Sequence, residues 1–132
     1  MKAEILKFFK GDVEDDKETL LKYSHDASIF ELRPKLVVFP IDSEDVQNLV
    51  KWVKENKENK EKYGELSITS RAAGTDMSGG AIGESIILDF TRHMNKLIAF
   101  PPSPLQGEGR GEVSYSITVQ PGMFYRDFEK LT

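Results

Sequence analysis

The chain has 132 residues, a formal net charge of −4 at pH 7 and no cysteine. This length suits one domain with a modest core, and the negative charge argues against broad contact with nucleic acid because basic residues are not in excess. The lack of cysteine excludes disulfides, thiolate catalysis and cysteine-based zinc sites, and it suits a reducing compartment, so we expect a cytoplasmic protein. Segment 1–10 is too short and too charged for a signal peptide, and no apolar run approaches a membrane span.

The N-terminal third of the sequence predicts short helices before one apolar strand. We expect a helix over 2–10, an acidic turn at 12–16, a helical turn over 17–23 and a strand over 36–39. The apolar run of that strand is bounded by Pro34 and Pro40, as is common for a short strand. The first strand of the fold is therefore expected at 36–39.

The strongest helix signal follows Asp42. This residue is a favourable N-cap, and the acidic residues just after it suit the positive end of the helix dipole. The apolar stripe expected on this helix comprises Val46, Leu49, Val50 and Val53, with Trp52 packing on its flank. The charged continuation 54–62 has no apolar face, so we expect a solvated extension or loop that ends at Gly64.

The second half of the chain predicts more strands and a C-terminal helix. Strands are expected over 66–69, 85–89, 97–100 and 114–120, and a helix from Phe124 to Leu131. Segment 101–112 lies between the last two strands and has three prolines and three glycines in twelve positions. We expect no regular structure there and a mobile loop.

A glycine-rich segment between the strands at 66–69 and 85–89 is the main candidate for a site. It reads Ser-Arg-Ala-Ala-Gly-Thr-Asp-Met-Ser-Gly-Gly-Ala over 70–81. Glycines let the backbone approach a ligand closely, and successive N–H groups in such a turn form a positively polarised nest for an anion. The diphosphate of a nucleotide cofactor is the expected guest, and a tight structural turn is the alternative. The segment is neither a Gly-x-Gly-x-x-Gly turn that opens a helix nor a P-loop, which argues against a Rossmann fold and against NTP hydrolysis.

The two histidines give little support for catalysis or metal binding. His25 stands beside Asp26, and we expect a surface or capping pair, whereas His93 is expected to be solvated. Asp89, at the end of a strand, is expected to cap or to accept backbone hydrogen bonds and not to act as a base. Two isolated histidines without a matched carboxylate pattern do not make a metal site, so none is predicted.

Several blocks of the sequence, in order along the chain, resemble one protein family. Arg-x-x-Gly-Thr-x-x-Ser-Gly-Gly-Ala at 71–81, followed by Ile-Leu-Asp-Phe-Thr-Arg-His-Met-Asn at 87–95, resembles the FAD diphosphate loop of the FAD-linked oxidases. These proteins share the fold named after vanillyl-alcohol oxidase and p-cresol methylhydroxylase, and the resemblance is greatest to the D-lactate dehydrogenases and the glycolate oxidase flavin subunit. Flanking blocks that also resemble this family lie at 23–28, 34–40, 43–46 and 119–122.

The resemblance implies an α+β fold, with a small mixed sheet and flanking helices. The fold would be the first subdomain of a p-cresol methylhydroxylase-type FAD-binding domain. Residues 1–16 would form an N-terminal helix and acidic turn, and residues 17–132 the N-terminal part of that domain, with a loop insertion at 101–112 that departs from the family pattern. Because the family continues with a second glycine-rich FAD segment and a substrate-binding cap, we expect a fragment truncated at residue 132, or one half of a split protein that needs a partner subunit.

The resemblance also implies FAD as the cofactor. Backbone N–H groups from Ala72 to Asp76 would hold its diphosphate, and Arg71 would help to neutralise it. The full set of implied contacts is Arg71, Ala72, Ala73, Gly74, Thr75, Asp76, Ser78, Gly79, Gly80, Pro40 and Gly122. Relatives that attach flavin covalently through this loop have a histidine at the position of Thr75, so we expect non-covalent FAD.

In complete relatives the implied reaction is oxidation of a small 2-hydroxy acid similar to D-lactate or glycolate. Hydride passes from the substrate's α-carbon to flavin N5 while a base takes the hydroxyl proton. The base and the carboxylate-binding groups of such relatives lie outside the matched part, so no catalytic residue is predicted in this chain. The alternative is a non-catalytic nucleotide-binding module, or an inactive remnant that needs a partner chain.

Overall fold

The computed structural model describes residues 1–99, 105–106, 113–114 and 117–130. Within them the elements are α1 (Lys2–Ile5), β1 (Asp12–Glu14), α2 (Lys17–Lys22), β2 (Leu36–Phe39), α3 (Ser43–Asn56), α4 (Lys60–Tyr63), β3 (Ile68–Arg71), β4 (Ile86–Asp89), β5 (Leu97–Ala99), β6 (Leu105–Gln106), β7 (Val113–Ser114), β8 (Thr118–Val119) and α5 (Tyr125–Glu129). None of the helices in these residues is long and apolar enough to cross a membrane.

A four-stranded mixed sheet forms the centre of the fold. Its strand order is β1-β2-β4-β3, and β4 is parallel to both of its neighbours, whereas β1 is antiparallel to β2. Every residue of β2 and β4 is buried, as expected for parallel strands that are covered on both faces. The small mixed sheet with flanking helices confirms the predicted fold class.

The two faces of the sheet bury separate apolar clusters, because successive side chains of a strand point to opposite faces. The larger cluster comprises Ile5, Phe9, Val13, Leu36, Val38, Leu49, Ile86 and Leu88. The smaller cluster comprises Tyr23, Val37, Phe39 and Ile87, with Leu20 packed against it. The second cluster matters for the site, because Tyr23 extends it to the region where the glycine-rich segment leaves the sheet.

The N-terminus of α3 is fixed by two aspartates. Asp42 caps the helix as predicted, since its side chain accepts a hydrogen bond from the Asp45 amide at 2.9 Å. Asp45 is fully buried, and its carboxylate accepts hydrogen bonds from the amides of Lys10 (2.8 Å), Gly11 (3.1 Å) and Ile41 (3.1 Å). One buried carboxylate therefore joins the start of α3 to the chain that precedes β1.

The predicted acidic turn at 12–16 is wrong for its first three residues, which form strand β1. Arg92 makes this possible, since its guanidinium donates hydrogen bonds to Asp12 (3.1 Å) and Glu14 (2.5 Å) and lies 3.5 Å from the ring centroid of Phe39. His93 lies 2.7 Å from the Asp12 carboxylate, so it is paired and not simply solvated. The turn prediction failed because the two carboxylates bind Arg92, which lies about eighty positions away in the sequence.

Other helix boundaries also differ from the sequence pattern. Helix α1 ends at Ile5 and not at residue 10. Helix α3 ends at Asn56, and a separate short helix, α4, occupies part of the predicted solvated extension before Gly64. Val50, assigned to the core stripe, is half exposed, whereas Trp52 packs edge-to-face with Tyr63 at 5.3 Å between ring centroids.

The strand boundaries of the second half agree only in part. Strand β3 runs from Ile68 to Arg71, so it ends two residues later than the predicted strand. Strands β5 and β8 pair antiparallel. Of the predicted 114–120 strand, β8 covers Thr118–Val119 and Ser114 belongs to β7, whereas residues 115–116 lie outside the described residues. The prediction that segment 101–112 lacks regular structure is wrong for β6, which pairs with β7 directly after that segment. The rest of the predicted mobile loop lies outside the described residues.

Candidate functional site

The glycine-rich segment leaves the central sheet at the end of β3. Arg71 is the last residue of that strand and pairs in register with Asp89, the last residue of β4. The two parallel strands therefore end side by side, and segment 72–81 begins at their carboxyl ends. In open α/β sheets this edge is where ligands commonly bind.

Most amides of the first half of the segment have no partner. Among the described residues, none of the backbone N–H groups from Ala72 to Met77 donates a hydrogen bond to another protein group. Gly74 has φ +68°, a conformation that favours glycine. The segment lines a depression of about 230 Å³, bordered by Ser70 to Asp76, Gly80 and Ala81. Unpartnered amides around a concave surface can hold an anion.

The second half of the segment is closed by an internal anion. The Asp76 carboxylate accepts hydrogen bonds from the Ser78 amide (2.7 Å), the Ser78 hydroxyl (2.9 Å) and the Gly80 amide (3.0 Å). These contacts, the Gly80 amide foremost, lower the pKa of Asp76. The amides of Ser78 and Gly80, expected among the ligand contacts, are therefore already occupied, as is the proton of the Ser78 hydroxyl.

Arg71 makes its hydrogen bonds to carbonyl groups of the protein. Its Nη1 donates to the carbonyl of His25 at 2.7 Å and to that of Ala81 at 3.3 Å. Its guanidinium carbon lies 5.0 Å from the ring centroid of Tyr23. A Cβ atom at Gly74 would lie 2.6 Å from that same carbon, so the guanidinium occupies the space beside the glycine.

Segment 25–30 packs along the glycine-rich segment. The Asp26 carboxylate accepts hydrogen bonds from the amides of Ser28 (2.8 Å) and Ala81 (3.3 Å), and the Ala27 amide donates to the carbonyl of Gly74 at 3.1 Å. Hydrogen bonding to Ser28 and to Ala81 lowers the pKa of Asp26. Sequence reasoning missed this role, although Asp-x-Ser is a common local turn pattern that could have revealed part of it.

His25 and Asp26, predicted to form a pair, bind separate partners instead of each other. His25 Nε2 lies 3.6 Å from the Glu31 carboxylate, while both oxygens of Asp26 accept backbone amides. The described residues contain no group of three or more His, Asp or Glu side chains that could hold a metal ion.

A second depression of about 170 Å³ adjoins the first and shares Arg71, Ala72 and Ala73 with it. Its other lining residues are Lys22, Tyr23, Asp89, Thr91 and Phe124. Asp89 is buried and accepts hydrogen bonds from the Thr91 amide (2.7 Å) and hydroxyl (2.6 Å), which confirms that it binds backbone. Burial, and next the Asp89 charge, raise the pKa of Tyr23 well above its ordinary value.

Pro40 and Gly122 line neither depression. Pro40 is fully buried directly after β2. The Gly122 amide donates to the Met94 carbonyl at 2.8 Å, and a Cβ at this glycine would lie 2.8 Å from that same oxygen. Close backbone packing therefore explains the glycine at 122 without a ligand, and the expected contact of these two residues with FAD stays a prediction.

The chain is similar to a known protein family and to several characterised proteins. Residues 34–132 match the family described as "FAD binding domain". D-2-hydroxyglutarate dehydrogenase of Escherichia coli is 36% identical over 94 residues, which cover 71% of this chain and 9% of that protein. D-lactate dehydrogenase [cytochrome] 1, mitochondrial, of Saccharomyces cerevisiae is 24% identical over 122 residues, which cover 89% of this chain and 17% of that protein.

The fold itself recurs in a solved structure. Alkyldihydroxyacetonephosphate synthase matches with a TM-score of 0.71 and 22% identity, over 98% of this chain and 24% of that one. At this identity the likeness shows a shared fold. The chain thus spans a small part of the length of the proteins that it matches.

Proposed function

We propose that this chain, which belongs to the family of FAD-binding domains, supplies the diphosphate-holding loop of a flavin-dependent oxidoreductase. FAD is the cofactor of the family. The observation that carries the assignment to this loop is the row of amides from Ala72 to Asp76, which has no partner within the described residues and belongs to residues that line a concave surface. A diphosphate needs such donors, and the net charge of −4 makes local amide dipoles more important than overall charge.

The residues present fit a diphosphate. Gly74 has a positive φ, which glycine adopts without strain, and its amide has no acceptor among the described residues. Ala72 and Ala73 border both depressions, so a ligand that is longer than the diphosphate could extend from one to the other. We expect Ala72 to Asp76 to hold the diphosphate, with Thr75 able to donate its hydroxyl. When bound, FAD supplies an acceptor for hydride.

Non-covalent attachment of FAD is part of the proposal. Covalent attachment through this loop would need a nucleophile such as histidine at position 75, and a threonine hydroxyl is a poor nucleophile at its ordinary pKa. Release of all flavin from acid-precipitated protein would support this. Flavin that stays with the precipitate would contradict it.

A small 2-hydroxy acid is the proposed substrate class. The support comes from the names of two relatives, a D-2-hydroxyglutarate dehydrogenase and a D-lactate dehydrogenase. The matched segments are 9% and 17% of those proteins. We therefore propose no residue of this chain as the group that binds the substrate or takes its proton. A partner subunit or further segment that supplies them, and a cytoplasmic location, stay predictions.

The experiment that tests the loop assignment is an FAD titration of Gly74→Val, Gly79→Val and the unaltered chain. Both glycines have positive φ, and a side chain at Gly74 would overlap Arg71 while one at Gly79 would lie 3.1 Å from Phe30. We expect both variants to lose FAD binding while circular dichroism still shows a folded chain. Gly64→Val is the matched control, since Gly64 also has positive φ but lies after α4. Unchanged FAD affinity in both loop variants would refute the assignment.

The second candidate is a non-catalytic nucleotide-binding module, which would hold a diphosphate through the same loop amides without oxidising a substrate. Anaerobic addition of D-2-hydroxyglutarate or D-lactate to the FAD-loaded protein separates the two. Bleaching of the flavin absorbance supports the oxidoreductase. A flavin spectrum unchanged by both acids, in protein that binds FAD tightly, favours the module.

A further inference from the structure

We propose that Arg71 is a positioning residue, which shapes the loop for the diphosphate and does not serve as the diphosphate's counter-charge. The ligand in this proposal rests on the proposed function, whereas the role of the side chain rests on contacts within the chain. Those contacts join Arg71, which stands at the start of the loop, to the loop's last residue, to segment 25–30 and to the core.

The guanidinium is held by two carbonyls, one in the loop and one in the segment that packs along it. Ala81 is the loop's last residue, and His25 is the first residue of segment 25–30. Both hydrogen bonds come from Nη1, at 2.7 and 3.3 Å. A planar guanidinium can make such paired contacts and stack at the same time, whereas a lysine ammonium is a compact point charge.

The aromatic surface beside the guanidinium belongs to the core. Tyr23 is only 7% exposed and packs edge-to-face with Phe39, with 5.9 Å between the ring centroids. Phe39 is itself buried at the end of β2. Arg71 therefore connects the loop to a rigid aromatic pair in the sheet, and a cation above a desolvated aromatic ring is stabilised by the ring's quadrupole.

Gly74 is where this connection shapes the loop. A Cβ at Gly74 would lie 2.6 Å from the guanidinium carbon and 2.8 Å from Nε, so the loop backbone passes directly over the arginine. The Gly74 carbonyl accepts a hydrogen bond from the Ala27 amide at 3.1 Å. Arg71 and Ala27 together fix the backbone at Gly74, and the amides from Ala72 to Met77 have no partner among the described residues.

An FAD titration of the full chain distinguishes a positioning role from a counter-charge. We compare Arg71→Lys, which keeps the charge, with Arg71→Met, which removes it, at several NaCl concentrations. If Arg71 positions the loop, both variants lose FAD affinity by a similar factor of about tenfold or more, a change of about 1.4 kcal/mol per decade, and the salt dependence stays that of the unaltered chain. An Arg71→Lys affinity within about twofold of the unaltered chain, together with weak, salt-insensitive binding by Arg71→Met, would overturn the proposal.

Arg33→Met is the matched control for loss of one positive charge. Arg33 is exposed and lines a different depression, beside Leu32 and Lys35, so its loss should leave FAD affinity and its salt dependence unchanged. If Arg33→Met lost as much FAD affinity as Arg71→Met, the net charge of the chain alone would explain both losses, and the proposal would be contradicted.

A second measurement needs no FAD. The urea midpoints of Gly74→Ala, Arg71→Ala and the double variant form a double-mutant cycle. Because the new methyl group would meet the guanidinium, we expect Gly74→Ala to lower the midpoint less when Arg71 is already alanine. Additive midpoint shifts would overturn the proposed contact. If the unaltered chain binds no FAD, the proposed function fails, while this cycle still decides whether Arg71 shapes the loop.

Discussion

The Asp76 carboxylate accepts hydrogen bonds from both the amide and the hydroxyl of Ser78, at 2.7 and 2.9 Å. A third bond comes from the Gly80 amide at 3.0 Å. The glycine-rich loop therefore has two parts. The free part, Ala72 to Met77, has amides without an acceptor in the described part of the chain, whereas in the other part the amides of Ser78 and Gly80 already bind the Asp76 carboxylate. A diphosphate at the free part would lie near this negative charge.

We therefore predict that Asp76→Asn binds FAD more tightly than the unaltered chain. The asparagine oxygen can still accept the amide hydrogen bonds, while the repulsion between Asp76 and the diphosphate is removed. The expected gain is about threefold in FAD affinity at low salt, and it should shrink as salt screens the charges. Fluorescence titration of FAD at two ionic strengths measures both effects.

Glu61→Gln is the control for this charge change, because Glu61 lies in α4 and lines neither depression at the loop. Its FAD affinity should equal that of the unaltered chain. Weaker FAD binding by Asp76→Asn would show that the full carboxylate is needed to keep the loop in shape, and the repulsion argument would be wrong.

Asp45→Ala should be among the most destabilising single changes in the chain. The substitution leaves the amides of Lys10, Gly11 and Ile41 without their buried acceptor. Each unsatisfied buried donor costs about 1–3 kcal/mol, although some will be reached by water, so we expect a loss of about 3 kcal/mol in the free energy of unfolding. Urea denaturation followed by circular dichroism gives this value.

Asp15→Ala is a suitable comparison for Asp45→Ala. Asp15 pairs with Lys2 at 2.6 Å, but both side chains are well exposed. Loss of such a surface pair should change the free energy of unfolding by less than about 1 kcal/mol. Equal losses of unfolding free energy in the two variants would mean that the buried hydrogen bonds of Asp45 stabilise the chain no more than a surface ion pair does.

The elements that could be predicted are those whose sequence signal lies within a few neighbouring residues. The Asp42 cap was predictable because the acceptor and the amide that it binds are three positions apart. Strand β2 was predictable from a continuous apolar run, since both of its faces are buried. The glycine-rich loop could be selected as a candidate anion site because its glycines and small residues lie close together in the sequence.

The contacts that shape the site could not be predicted, because they join distant positions. Arg71 meets the His25 carbonyl 46 positions earlier, and the Ala81 amide meets Asp26 55 positions earlier. Arginine next to a nest suggests a counter-charge when only the sequence is known. Its actual hydrogen bonds go to carbonyls, which only the tertiary fold could bring to it.

Strand β1 could not be predicted for the same reason, since its carboxylates bind residues distant in the sequence. These contacts lead to a prediction about stability in acid. Asp12 accepts hydrogen bonds from His93 and Arg92, in that order of importance, and they lower the pKa of Asp12 below its ordinary value of 3.8. Since the folded-state pKa is depressed, this contribution to stability is complete above the unfolded-state pKa and is lost as the pH falls through the folded-state value.

Asp12→Asn should therefore lower the urea midpoint at pH 7 and match the unaltered chain only once the pH is below the depressed pKa of Asp12. The loss at pH 7 should be less than about 1 kcal/mol, because the Asp12 side chain is half exposed to solvent. Urea titrations of both proteins at neutral and acidic pH measure this, with Asp127→Asn, which removes the exposed pair with Lys130 in α5, as control. A midpoint difference for Asp12→Asn that is as large in strong acid as at pH 7 would show that its cause is not the charge of Asp12.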